Sequence, residues 1–146
     1  MKARAVLFCL PLFLLTNCRN AKREELTGEW HVKENSRSIL PAKLKTAAPR
    51  ISLNENGTFV ASDLPGFFSF GPEAAELDGG AGAWRMTSKD GQQAVQLEFR
   101  TRQGTEPSQV PYGAFLEVEK GIGEPTLHYF IGDADEGRMV EFEHSK

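Results

Sequence analysis

The sequence predicts an all-β fold, an antiparallel up-and-down meander of about eight strands. Three observations carry that expectation. Apolar residues recur at every second position in short rows, which is the period of a half-buried strand. Asn56-Gly57 and Asp90-Gly91 are two-residue hairpin signals, because these residue types reach positive φ at low cost. Helix-period patterning beyond residue 28 is weak.

The rows follow one another along the chain. Trp30 and Val32 form the first, Ile51 and Leu53 the second, Phe59 and Ala61 the third, and Trp84 and Met86 the fourth. Residues 93–100 are the cleanest, with Val95, Leu97 and Phe99 on one face and Ala94, Gln96, Glu98 and Arg100 on the other. Ala114, Leu116 and Val118 repeat the pattern with Glu117 and Glu119 outside. Leu127, Tyr129 and Ile131 form the seventh row, and Val140 and Phe142 the last, against Glu141 and Glu143. Gly121-Ile122-Gly123 and residues 133–137 supply turn chemistry between later rows. Two helical turns are expected, at residues 21–26 and at residues 72–77. Pro72 suits a first helical position, and Gly79-Gly80 is expected to stop the second turn. Two connections read as long, residues 35–49 and residues 62–80, and long loops in small domains carry function or are disordered.

Composition bounds the function. Apolar residues make up 40% and charged residues 25% of 146, which excludes wholesale disorder. Cys9 and Cys18 both lie at the N-terminus, which excludes a disulfide scaffold or a cysteine zinc site in the domain. Residues 19–50 carry eight basic and four acidic side chains, whereas residues 51–146 carry seven and sixteen. Overall acidity without an aromatic-interleaved basic stripe argues against nucleic acid as a partner. The basic part has two readings. Arg19, Lys22, Arg23, Lys43, Lys45 and Arg50 either lie together near anionic head groups or belong to an ordinary solvated surface.

The N-terminus reads as an address. Lys2 and Arg4 form a basic region, and residues 5–15 are apolar but shorter than the roughly 20 residues a spanning helix needs. The stretch ends in Leu15-Thr16-Asn17-Cys18, which resembles the lipobox of bacterial lipoproteins. Leu15 and Thr16 match that family's pattern, and Asn17 departs from its preference for Gly, Ala or Ser. The resemblance implies that residues 1–17 are a removable signal and that Cys18 carries lipid. It implies anchorage in the cell envelope, and Arg19 after the cysteine points to the outer membrane. Residues 18–27 would be a tether with one short turn, and residues 28–146 the folded domain.

A meander has exposed edges unless it closes, and eight strands close into a barrel just wide enough to be filled or to hold one small ligand. Gly28-Glu29-Trp30 after a short turn resembles the G-x-W that opens lipocalins and their relatives. The resemblance implies a barrel whose floor is covered by Trp30, with Arg138 of the last strand packed on it, and a lid in residues 35–49. It also implies a small apolar ligand taken at the mouth. The inward set from Trp30 to Phe142 is bulky, which favours a filled barrel that presents loops to another envelope protein. Both functions stay open at this stage.

Candidate sites are few. Phe67, Phe68 and Phe70 form an apolar cluster in a connection flanked by Gly and Pro. They either plug one end of the barrel or serve as lid, ligand contact or partner surface. His31 and His128 fall on outward faces, and with His144 they form no metal-ligating spacing. Asp133, Asp135 and Glu136 before Gly137 have calcium-loop residue types, but the glycine comes one position early and His144 stands where the bidentate Glu belongs. No nucleophile elbow, zinc-protease motif or phosphate loop occurs, so neither catalysis nor a cofactor is expected.

Overall fold

The strands close on themselves. A computed structural model describes residues 20–40, 42, 45–65, 77–102, 112–130 and 138–145. One helical turn, α1 (Arg23–Leu26), precedes β1 (Gly28–Val32). A 3₁₀ turn spans Glu34–Ile39. The remaining strands are β2 (Arg50–Leu53), β3 (Thr58–Pro65), β4 (Leu77–Lys89), β5 (Gln92–Arg102), β6 (Tyr112–Glu119), β7 (Thr126–Phe130) and β8 (Met139–His144). Each pairs antiparallel with the next, and β8 returns to β1 through Val32↔Phe142 and Trp30↔His144, closing an eight-stranded up-and-down barrel. Among the described residues, closure gives every strand a neighbour on both sides.

The alternating rows become the inner wall. Trp30, Val32, Ile51, Leu53, Phe59, Trp84, Val95, Leu97, Phe99, Leu116, Leu127, Val140 and Phe142 are buried in one apolar cluster, with Met86 and Tyr129 packed against it. The positive φ expected of the hairpin residues occurs at Gly57, Asp90 and Gly91 but not at Asn56, because that turn spans residues 54–57 instead of two residues.

Several elements depart from the sequence reading. The third connection is shorter than expected. β3 runs through Pro65 because a register shift between Ala61 and Leu64, with Asp63 at φ 54°, lets the strand bend and continue. At the other end Gly79-Gly80 does not stop a helix. Both lie inside β4, which begins at Leu77, and residues 72–76 lie outside the described residues. Small residues are needed there by close approach. A Cβ on Gly82 would stand 1.9 Å from the Glu98 carbonyl oxygen, while the Phe59 ring lies against the same position. Phe59 of β3 and Phe99 of β5 meet edge to face at 4.8 Å over β4, on the wall that the glycine leaves bare.

The 3₁₀ turn was not legible as a helix, because it is held by tertiary hydrogen bonds. The Glu141 backbone N–H donates to Ser36 Oγ at 3.0 Å, the Lys33 N–H donates to the Glu141 carbonyl at 2.9 Å, and Lys33 Nζ pairs with the Glu141 carboxylate at 2.8 Å.

Candidate functional site

The two ends of the barrel are built differently. At one end, the floor, α1 lies across the opening. The Lys22 N–H donates to the Glu25 carboxylate at 2.7 Å, which caps the turn, and Leu26 is buried beneath it. Trp30 is fully buried and its indole donates to the Leu26 carbonyl at 2.9 Å. Trp84 donates to the Asn54 carbonyl at 2.8 Å, and the Arg23 guanidinium stands 4.2 Å over its ring. Lys120 closes on the Glu25 carboxylate, which holds that carboxyl below its ordinary range; the Lys22 backbone adds to the effect.

Gly28 and Trp30 therefore take the floor positions the sequence suggested. The residue of the last strand set against Trp30 is His144, not Arg138. The His144 ring meets the indole edge on at 4.7 Å, and its Nε2 donates to the Thr27 carbonyl at 3.0 Å. Arg138 precedes β8 at its opposite end, about 20 Å away along the strand. The register explains the substitution, because Trp30 pairs with the last residue of β8 rather than the first. Gly28 is tied to the same histidine. Its φ is +132°, and a Cβ would stand 2.6 Å from the imidazole.

The other end, the mouth, receives the 3₁₀ turn and the connections between β3 and β4, β5 and β6, and β7 and β8. Leu40 and Leu64 are buried there, so the apolar filling reaches from the floor to the mouth. Tyr129 faces inward and is half-buried, and burial pushes its phenol above the ordinary value. Phe67, Phe68 and Phe70 belong to the β3–β4 connection and lie outside the described residues, as do Cys18, Ile131, Asp133, Asp135, Glu136 and Gly137.

The basic residues do not gather on one patch. Lys22 and Arg23 lie at the floor, whereas Lys45 and Arg50 lie toward the mouth. Arg19 and Lys43 are outside the described residues. A single head-group patch of all six is therefore not formed.

Of the three histidines, His31 is outward and part-exposed, 3.2 Å from the Glu143 carboxylate. His128 is outward in the alternation, paired with Glu117 and Glu141, yet only 7% exposed. Neighbours on the outer face cover it: Thr126 Oγ1 is 2.9 Å from Nε2, and the Glu119 carboxylate is 3.5 Å from Nδ1. It lines a groove of about 760 Å³ with Asn20, Gln92, Gln93, Glu117, Lys120 and Gly121 among its walls. Sequence reasoning missed this groove, because alternation reports the face of a side chain and not what lies over that face. Among the described residues, no group of three or more His, Cys, Asp or Glu comes together to hold a metal ion.

Comparison of the chain with protein-family models, with curated proteins and with solved structures returned no match. The eight-stranded meander is of the general lipocalin type in strand number, topology and closure.

Proposed function

We propose that the chain is a cell-envelope lipoprotein, anchored by lipid on Cys18. Its barrel acts as a non-enzymatic binding module that meets another envelope protein through its mouth loops. The observation that carries this reading is the bulky apolar cluster inside the barrel. Buried apolar side chains run from Trp30 at the floor to Leu40 and Leu64 at the mouth, with the Phe59–Phe99 pair packed over β4. A partner is then met at the rim, the end to which four connections belong, rather than swallowed. Barrels of this size do hold small ligands when side chains leave room, so fold alone does not decide the matter.

A second reading is favoured by Tyr129. Its half-buried phenol adjoins the apolar cluster at the mouth, the mixed setting that a small apolar ligand with a polar end would use. Phe67, Phe68 and Phe70 belong to a connection at that end and would supply its apolar contacts.

Native mass spectrometry on gently purified protein separates the two. A clean mass of the chain is expected. A reproducible extra mass, lost on denaturation, would overturn the filled-barrel reading and favour the small ligand. The anchor is tested separately: Cys18→Ser should release the protein from the membrane fraction, and continued membrane association would refute lipid attachment there.

A further inference from the structure

The turn between β6 and β7 is unexplained by the barrel. Ile122 at its tip is completely exposed, more so than Val60 or Phe115, which stand on the walls of strands. Glycines flank it on both sides, and a Cβ on either Gly121 or Gly123 would have no atom within 4 Å. The tip thus stands clear of the molecule. A single exposed apolar side chain is ordinary on a protein surface. Its position here is what matters.

The described chain begins beside that turn. Asn20 lines the same groove as Lys120 and Gly121. Ala21 is clamped next to it: its N–H donates to Gln93 Oε1 at 2.8 Å, and Gln93 Nε2 donates to its carbonyl at 2.7 Å. The clamp fixes where the chain leaves the barrel floor. Cys18 stands two residues before Asn20, a span of at most about 7 Å.

We propose that the Ile122 turn is a second membrane contact, inserted into the bilayer interface beside the lipid anchor, so that the floor faces the membrane and the mouth faces away. The proposal rests on the anchor at Cys18. It gives the molecule two attachment points at one end, which is what fixes an orientation rather than leaving a tethered body free to tumble. The contact is apolar, not electrostatic. The floor near the turn carries Glu24, Glu25, Glu119 and Glu124 against Lys22, Arg23 and Lys120; Lys120 is engaged by Glu25, and Arg23 lies over the Trp84 ring. Anionic lipid therefore gains nothing there, and neither anionic lipid nor salt should be needed.

The lipidated mature chain, residues 18–146, in zwitterionic phosphatidylcholine vesicles provides the test. Cys9 has left with the signal and lipid occupies the Cys18 thiol, so an introduced cysteine is the one labelled. A fluorophore is attached through Glu124→Cys, in the exposed turn, or through Lys45→Cys, toward the mouth. A nitroxide-bearing phospholipid is expected to quench the Glu124-position label several-fold more than the Lys45-position label. Adding Ile122→Asp to the Glu124→Cys chain is expected to remove most of that excess. Vesicle flotation with equal quenching at the two positions, or with no effect of Ile122→Asp, overturns the Ile122 contact and leaves the anchor standing. Failure of the chain to float at all refutes the anchor, and the inference falls with it.

Discussion

The floor and the mouth of this barrel share the same strands but not the same construction. Floor connections are short: residues 54–57, 90–91 and 120–125, the first two carrying the Asn-Gly and Asp-Gly signals. α1 reaches two of them through the Arg23–Glu55 and Lys120–Glu25 contacts, and the Trp30–Leu26, Trp84–Asn54 and Gln93–Ala21 hydrogen bonds tie the same end together. Mouth connections are longer: residues 33–49, 66–76, 103–111 and 131–138. The difference teaches a division of labour. Among the described residues the chain's entry is fixed by these floor contacts, whereas the longer connections, which tolerate variation best, lie at the mouth.

The sharpest way to break this comparison is to empty the floor. Trp30→Ala removes a fully buried indole and its hydrogen bond, and should cost about 3–5 kcal/mol in urea unfolding. A loss well below that would mean that the floor is not the structural end.

Gly28→Ala asks the same question of the backbone. The added Cβ meets the His144 ring at 2.6 Å, on a residue at φ +132°. The cost should be about 1–3 kcal/mol, the usual range for forcing an L-residue into such a conformation. Combining it with His144→Ala relieves the clash but not the backbone strain, so partial recovery is the expected result. Full recovery would place the whole cost in the ring contact.

Smaller effects distinguish the ends by pH. At the mouth, burial raises the Tyr129 pKa above its ordinary value near 10. The folded state therefore holds that proton more tightly than the unfolded state. The stability it contributes is complete below the unfolded value and is lost as pH rises through the folded one. Tyr129→Phe should flatten the alkaline limb of the stability profile, read from urea midpoints, and leave the acid limb alone.

How much of this was legible follows from where each signal lives. Period-two rows place Val95, Leu97 and Phe99 inside and Gln96 and Glu98 outside without reference to any other strand. Their number and the hairpin residues imply closure. What joins distant parts of the chain was not legible. His144 replaces Arg138 against Trp30 because of register across the β1–β8 seam, which no local pattern encodes. Gly79-Gly80 read as a stop because glycine is locally a breaker. In fact glycine in β4 answers the approach of β5 and of Phe59. His128 was assigned to the correct face, but its burial depends on Thr126, Glu119 and the outer-face groove. The Gln93–Ala21 clamp spans 72 positions and has no sequence signature.

The floor should respond at the acid end instead. Lys120 and the Lys22 backbone hold Glu25 below its ordinary pKa, so the folded state releases this proton more readily than the unfolded chain. The stability from this pair is present above the unfolded value near 4.5 and is lost as pH falls through the lower folded value. Glu25→Gln should therefore remove part of the acid sensitivity, seen as urea midpoints that change less below about pH 4.5 than those of the parent chain. The effect at neutral pH should be the smallest of the series, because the pair is partly solvated and an exposed ion pair contributes little. Glu25 acts at the floor and Tyr129 at the mouth, so the double variant should flatten both limbs additively. Coupling between the two limbs would mean that the ends of the barrel sense one another, and the division drawn between them would have to be abandoned.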